Sequence, residues 1–136
     1  MTVLQGQATV AGSWINGTPV ETGGEVHPII NPATGEAVAT YKSATPADVD
    51  TAVAAARAAF DGWATATPVD RWAVLYKLAR LAGEHAEELV AEEVGQTGKP
   101  VRLAREFDVP GSIDNIEFFA GAARHLEGKA TAEYSA

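Results

Sequence analysis

The sequence predicts an α/β protein in which an extended amino-terminal arm precedes three main α-helices. Two observations carry this prediction. An Asn-Gly pair at residues 16–17 lies between two short apolar segments, which is the strongest local signal for a two-residue β-hairpin turn. From Thr45 onward the apolar residues recur at helical spacing. We therefore expect strands and a hairpin over residues 1–44 and a helical domain over residues 45–136.

The extended arm contains four predicted strands. Residues 13–15 and 18–20 form the two arms of the hairpin. A further strand covers residues 27–30, a proline-led turn follows at residues 31–35, and the chain returns as a strand over residues 36–41. Both the second and the third strand contain a proline, which lacks an amide hydrogen, so these strands are expected at sheet edges.

The first two helices begin with the same Thr-Pro-x-Asp pattern, at residues 45–48 and 67–70. The threonine hydroxyl caps the helix, proline suits the first helical position, and the aspartate three residues after the cap completes a capping box. The first helix is expected to end before Gly62. The second is expected to kink at Gly83 and to end within residues 95–100, where Gly98 permits a left-handed residue, Lys99 faces the negative end of the helix dipole and Pro100 prevents continuation.

A third helix is expected to begin at Asp108, with the Asp108 carboxylate as its N-cap. Apolar positions at helical spacing predict one buried face on each helix. These faces comprise Val49, Ala52, Val53, Ala56 and Phe60; Leu75, Leu78, Ala79, Ala82, Ala86, Leu89, Val90 and Val94; and Ile113, Ile116, Phe119, Ala120 and Ala123. The larger aromatic residues are interpreted as buried packing rather than as a stacking platform for bases: Trp14, Trp63, Trp72, Tyr76, Phe118 and Phe119.

Composition excludes several functions. The net charge is −8 and no lysine- or arginine-rich block occurs, so nucleic acid is not an expected partner. The chain has no cysteine, which excludes disulfides, zinc-thiolate sites and a cysteine nucleophile within it. Neither common glycine-rich phosphate motif is present. No leader and no membrane span is recognised, so a soluble cytoplasmic protein is expected.

The remaining chemically interesting side chains favour structural roles. The three histidines, at positions 27, 85 and 125, share no metal-ligand spacing. An acidic cluster could suggest a metal site, but its helical spacing favours a solvated helix face. This cluster consists of Glu84, Glu87, Glu88, Glu92 and Glu93.

Four segments in order resemble the opening of aldehyde dehydrogenases: residues 14–17 (Trp-Ile-Asn-Gly), 30–36 (Ile-Asn-Pro-Ala-Thr-Gly-Glu), 59–63 (Ala-Phe-Asp-Gly-Trp) and 96–100 (Gln-Thr-Gly-Lys-Pro). The resemblance covers about residues 12–134. Residues 118–124 (Phe-Phe-Ala-Gly-Ala-Ala-Arg), followed by Glu-Tyr at residues 133–134, are similar to the aminobutyraldehyde branch of that family in particular. The resemblance implies the N-terminal segment of the aldehyde dehydrogenase fold, with residues 45–136 as the start of an incomplete NAD-binding domain.

The resemblance also implies a function for the parent enzyme. Family members oxidise an aldehyde to a carboxylic acid through a cysteine thiolate, with NAD as hydride acceptor and water as the final nucleophile. Their catalytic and NAD-binding residues lie downstream of this segment, so the chain alone is expected to be inactive. The implied parent is a cytoplasmic homo-oligomer that oxidises 4-aminobutanal to 4-aminobutanoate in putrescine degradation. Betaine aldehyde and succinate semialdehyde are alternative substrates.

A cation site is carried over from related betaine-type enzymes. There, two backbone carbonyls before the Asn-Pro turn and an aspartate at a later helix hold K⁺ or Na⁺, and these positions correspond to Ile29, Ile30 and Asp108. The N-cap role of Asp108 is the competing interpretation. The strands that follow this segment in the family would cover its apolar helix faces, so without them a marginally stable, association-prone chain is expected. A function of another class stays open as well: a non-catalytic interaction module that binds through its exposed helix faces.

Overall fold

The computed structural model describes residues 13–125, and the chain divides into two units. The first unit contains Met1–Trp63 and Gly95–Gly98, and the second contains Ala64–Val94 and Lys99–Ala136. The Glu-Tyr pair at residues 133–134, like the first twelve residues, lies outside the described part. The mixed α/β class is confirmed. The boundary between residues 1–44 and 45–136, as a domain boundary, stays a prediction.

Four strands precede the helices. The elements are β1 (Ser13–Ile15), β2 (Thr18–Val20), β3 (Val26–Ile30), β4 (Ala37–Lys42), α1 (Pro46–Ala64), α2 (Pro68–Glu84), α3 (Ala86–Thr97), α4 (Val101–Leu103), a π-helical turn (Ala104–Asp108) and α5 (Val109–Ala122).

Both predicted strand pairs form two-stranded antiparallel sheets. In the first, β1 pairs with β2, and the turn residues Asn16 and Gly17 have φ angles of 50° and 76°. Positive φ at both positions is what a type I′ turn requires, which confirms the hairpin. In the second, β3 pairs with β4, with a register shift between Ile29 and Ile30. Thr22 is buried beside this sheet and donates a hydrogen bond from its hydroxyl to the Lys42 carbonyl at 2.9 Å.

The capping boxes at the first two helices are confirmed. At α1, Asp48 Oδ2 accepts hydrogen bonds from the Thr45 amide at 2.8 Å and the Thr45 hydroxyl at 2.7 Å, and the Asp48 amide donates to Thr45 Oγ1. Thr67 and Asp70 repeat this arrangement at α2. These hydrogen bonds, first of all the one from the threonine side chain, hold the pKa of Asp48 and of Asp70 below the ordinary value. The predicted end of α1 before Gly62 is wrong, because the helix continues to Ala64.

The second predicted helix is in fact two helices. The backbone leaves helical geometry at His85, with φ −107° and ψ 21°, and the His85 amide donates to the carbonyls of Leu81 and Gly83. The break therefore lies two residues beyond Gly83, and α3 begins directly after it. The predicted kink at Gly83 is wrong, because α2 ends after Glu84 and the amide of the next residue bonds to carbonyls of the last helical turn.

The predicted N-cap role of Asp108 is wrong. Helical backbone already begins at Val101, and Asp108 itself has helical φ and ψ angles of −67° and −50° with no capping hydrogen bond. The Val109 amide donates to the Ala104 carbonyl, five residues earlier, so one π-helical turn joins α4 to α5. Because the helix is continuous here, no free amide is left for Asp108 to cap.

The core of the second unit is small. Val90, Ala104 and Val109 are buried together, and Ala86, Val94 and Ile113 pack against them. Ala79 of α2 and Ala120 of α5 are fully buried, and these two helices pack against each other. Within residues 13–125, none of the helices combines the length and the apolar character that crossing a membrane requires.

Several residues that were expected to be buried are exposed. The exposed fractions range from 42% for Tyr76 to 70% for Trp14 among the aromatic residues. The expected interior positions of these residues are wrong because helical periodicity identifies an apolar face without showing what covers it. The residues concerned are Trp14, Trp63, Tyr76, Phe118, Phe119, Val49, Val53, Phe60, Leu78 and Leu89.

Candidate functional site

The turn after β3 is organised by Asn31. Its side-chain Oδ1 accepts a hydrogen bond from the Ala33 amide at 2.9 Å, and its backbone carbonyl accepts from the amides of Thr34 and Gly35. Its own amide donates to the Glu36 carbonyl at 2.9 Å. An asparagine followed by proline suits this position because its side chain can bond to the backbone two residues on while proline fixes φ. The turn is therefore held by both the side chain and the backbone of Asn31.

Gly98 packs directly on this turn, within the first unit. It has a φ of +67°, and a Cβ added to it would lie 2.9 Å from the Ala33 amide nitrogen and 2.9 Å from Pro32 Cγ. Both the left-handed backbone and the close approach require glycine. The family resemblance rests in part on residues 30–36 and 96–100. These two segments thus meet at a backbone contact. The left-handed glycine after α3 was predicted, but its packing on the Asn-Pro turn was not.

Lys99 joins two carboxylates in the second unit. Its Nζ lies 2.6 Å from Glu93 Oε1 and 2.8 Å from Asp108 Oδ2, and the lysine side chain is 25% exposed. The hydrogen bond to Asp108, followed by that to Glu93, raises the pKa of Lys99 above its ordinary value. Lys99 therefore connects the end of α3 to the π-helical turn rather than only facing the dipole of a helix end.

A second ion pair holds the π-helical turn. Arg105 donates from Nε and Nη2 to the two carboxylate oxygens of Glu87, at 3.0 and 2.8 Å. This bidentate contact lowers the pKa of Glu87 and raises that of Arg105. Ala104 at the start of the turn and Val109 directly after it are buried, while Arg105 contacts Glu87 of α3 and Asp108 contacts Lys99. The turn thus contributes a buried alanine to the core and two charged side chains to ion pairs of the second unit.

All three predicted cation ligands lie in described elements of the structure. Ile29 and Ile30 end strand β3 in the first unit, at the register shift of the sheet. Asp108 ends the π-helical turn in the second unit, where it accepts the Lys99 hydrogen bond. The Lys99–Asp108 pair was not predicted, because a spacing of nine residues across the start of a helix gives no periodic signal.

The acidic cluster forms ion pairs, as a solvated helix face would. Over residues 13–125, no group of three or more His, Asp or Glu side chains is arranged to hold a metal ion. The ion pairs are Glu84 with Arg80, Glu87 with Arg105, and Glu93 with Lys99, and Glu88 Oε1 lies 3.1 Å from His85 Nδ1. The described residues thus provide a scaffold of turns and ion pairs.

Comparisons with known proteins agree on one family. The model of the aldehyde dehydrogenase family matches residues 19–136. An aldehyde dehydrogenase of Alternaria alternata is 40% identical over 107 residues, which is 78% of this chain and 22% of that protein. The NAD⁺ complex of an aldehyde dehydrogenase from Bacillus cereus is 40% identical with a TM-score of 0.75, covering 79% of this chain and 23% of that one.

A third similar protein carries a more specific name. The gamma-glutamyl-gamma-aminobutyraldehyde dehydrogenase of Burkholderia cenocepacia J2315 is 37% identical, with a TM-score of 0.81, over 88% of this chain and 25% of that structure. The chain therefore spans about a quarter or less of the length of these relatives.

Proposed function

The chain belongs to the aldehyde dehydrogenase family, and on that premise we propose that it is the amino-terminal scaffold of an NAD-dependent aldehyde dehydrogenase. The observation that carries this proposal is the contact of Gly98 with the Asn-Pro turn. It gives a structural reason for two of the family-like segments to occur together. In this proposal the segment stabilises its own fold, and residues outside it carry out catalysis.

The chemistry of the family explains why this chain alone is proposed to be inactive. Aldehyde, NAD and water give carboxylic acid, NADH and a proton, and the family uses a cysteine thiolate to form the bond to the aldehyde carbon. The chain contains no cysteine. It also has neither common glycine-rich phosphate motif. We therefore assign NAD binding and the thiolate to the remaining part of the parent protein, which we place in the cytoplasm as a homo-oligomer.

We propose 4-aminobutanal as the substrate of the parent, with 4-aminobutanoate as product, as in putrescine degradation. Two observations support this choice: the resemblance of residues 118–124 to the aminobutyraldehyde branch and the similarity to the Burkholderia cenocepacia protein of that name. Betaine aldehyde and succinate semialdehyde are the alternative substrates within the same reaction class.

The test is NAD reduction by two purified proteins, the 136-residue chain and the same chain extended through the downstream reading frame. Each is assayed with 4-aminobutanal, betaine aldehyde and succinate semialdehyde, and with NAD and NADP. We expect activity only in the extended protein, highest with 4-aminobutanal and NAD. Activity in the short chain would refute the scaffold role, and a preference for another aldehyde would refute only the substrate.

A monovalent cation at Ile29, Ile30 and Asp108 is a further proposal, which rests on the family resemblance. Carbonyl and carboxylate oxygens are the donors that such hard cations prefer. The Lys99 ammonium already neutralises Asp108, so the cation has to share this carboxylate. Thermal unfolding in KCl, compared with choline chloride at equal ionic strength, tests the proposal. A K⁺-specific rise of the midpoint that Asp108→Asn abolishes supports it, and equal midpoints in the two salts contradict it.

A non-catalytic interaction module is the second candidate function. It is favoured by the large number of exposed apolar side chains, among them Trp14, Phe107 and Phe118, which are 67–70% exposed. An extended reading frame without a later cysteine would favour this function over an enzyme.

A further inference from the structure

Helix α1 carries an apolar stripe that is exposed in the described part of the chain. Val49, Val53 and Phe60 are 51%, 55% and 58% exposed, and no residue of α1 is buried. Val49 and Val53 also line a shallow apolar groove together with Trp14 and Ile15 of the hairpin. An apolar surface of this kind is a face that packs against a further segment or molecule when it is covered.

Two charged side chains lie along one flank of this stripe. At about 100° per residue, Asp50 lies roughly 60° and Arg57 roughly 40° from Val53 on the same side of the helix. Ala52 and Ala56 lie on its other side. Within residues 13–125, neither Asp50 nor Arg57 takes part in an ion pair or a side-chain hydrogen bond. One acid and one base thus remain available beside the apolar surface.

We propose that the α1 stripe is a docking surface for a second copy of this chain, in an antiparallel pair of α1 helices. In a two-fold symmetric antiparallel pair, residues on the same flank face each other across the axis. With the axis between Val53 and Ala54, Asp50 of each copy meets Arg57 of the other. The single sequence therefore supplies two opposite-charge contacts.

The charges also select the occupant and its orientation. A parallel two-fold pair would place the flank that carries Asp50 and Arg57 opposite the alanine flank of the other copy, so neither opposite-charge contact would form. A partner with an unrelated sequence could cover Val53 and Phe60 equally well, but it would not use the positions of Asp50 and Arg57 symmetrically. This self-association concerns the 136-residue chain and is independent of the proposed enzymatic function.

Complementary charge changes test the proposal. We expect the chain to dimerise in sedimentation equilibrium at about 10–100 µM. Asp50→Arg alone and Arg57→Asp alone each place like charges at both contacts, and each weakens dimerisation by about tenfold. A 1:1 mixture of these two variants restores both opposite-charge contacts, so it is expected to form heterodimers at the wild-type concentration.

Two controls distinguish this contact from non-specific association. Ala58 lies roughly 140° from Val53, on the opposite side of α1, so Ala58→Asp and Ala58→Arg should leave dimerisation unchanged. Val53→Asp introduces a charge within the stripe and should abolish it. Circular dichroism establishes that each variant retains its helices. A mixture that fails to restore the dimer, a wild-type chain that stays monomeric, or association that survives Val53→Asp would each overturn the proposal.

Discussion

Replacing Gly98 by alanine tests the contact that joins the two family-like turns. The left-handed backbone at this position costs a residue with a Cβ roughly 1–2 kcal/mol. The new Cβ would also lie 2.9 Å from the Ala33 amide nitrogen, a backbone atom that cannot rotate away. Overpacking of this kind adds about 1 kcal/mol or more. We therefore expect Gly98→Ala to lower the free energy of unfolding by about 2–3 kcal/mol.

The same substitution three residues earlier is the matched control. Gly95 lies inside α3, where an added Cβ meets no atom within 4 Å. Alanine in a helix interior is favoured over glycine by roughly 0.5–1 kcal/mol, so Gly95→Ala should stabilise the chain. In urea titrations followed by circular dichroism, at a slope of about 2 kcal/mol/M, Gly98→Ala should lower the midpoint by about 1 M or more. Equal effects of the two substitutions would refute the reasoning.

Three further substitutions test individual contacts. Thr67→Ala removes the N-cap of α2 and should cost about 1 kcal/mol in urea titrations, whereas Thr67→Ser should cost much less; equal losses would contradict the capping role. The lowered pKa of Asp48 stabilises the chain above pH 3.8, its ordinary value, and this stabilisation is lost as pH falls through the lower folded pKa. Stability measured from pH 6 to pH 2 should therefore fall less in Asp48→Asn than in the wild type, and parallel curves would argue against this cap. Lys99→Met leaves the carboxylates of Glu93 and Asp108 without their shared ammonium, so the chain should lose stability at pH 7 in urea titrations, and no loss would contradict the bridging role.

Local chemistry explains which parts of the fold were predictable. The hairpin at residues 16–17 and the two Thr-Pro-x-Asp helix starts depend on residues close together in the chain, so the sequence alone specifies their hydrogen bonds. The left-handed Gly98 follows from the same kind of signal, a glycine between a helix and a proline.

The features that were missed carry no recognisable local sequence signal. The break at His85 has no proline or glycine at the break itself, and the π-helical turn places Asp108 on Lys99 instead of at a helix start. The predictions of which side chains are buried failed for a different reason. The periodicity that placed Phe60 and Phe119 on apolar faces is real, but whether a face is covered depends on residues elsewhere, and in the described part of the chain both side chains are about 60% exposed.

The candidate site could be located from the sequence only in part. Ile29, Ile30 and Asp108 came from the family resemblance, and their role as cation ligands stays a proposal. The Gly98 contact joins two segments that both carry the family resemblance, but a contact so distant in sequence leaves no local pattern that predicts it. The pairing of Arg105 with Glu87 had no such signal, since eighteen residues and a helix end separate the two.

The most direct test of the central claim, that this chain is a working scaffold of an aldehyde dehydrogenase, is a chimeric enzyme. Residues 19–136 replace the corresponding segment of the Bacillus cereus aldehyde dehydrogenase, which retains its own catalytic residues. NAD reduction with an aldehyde accepted by the parent is measured beside that parent and beside a chimera that carries Gly98→Ala. We predict an active chimera that loses thermal stability with Gly98→Ala, whereas a folded but inactive chimera beside an active parent would contradict the claim.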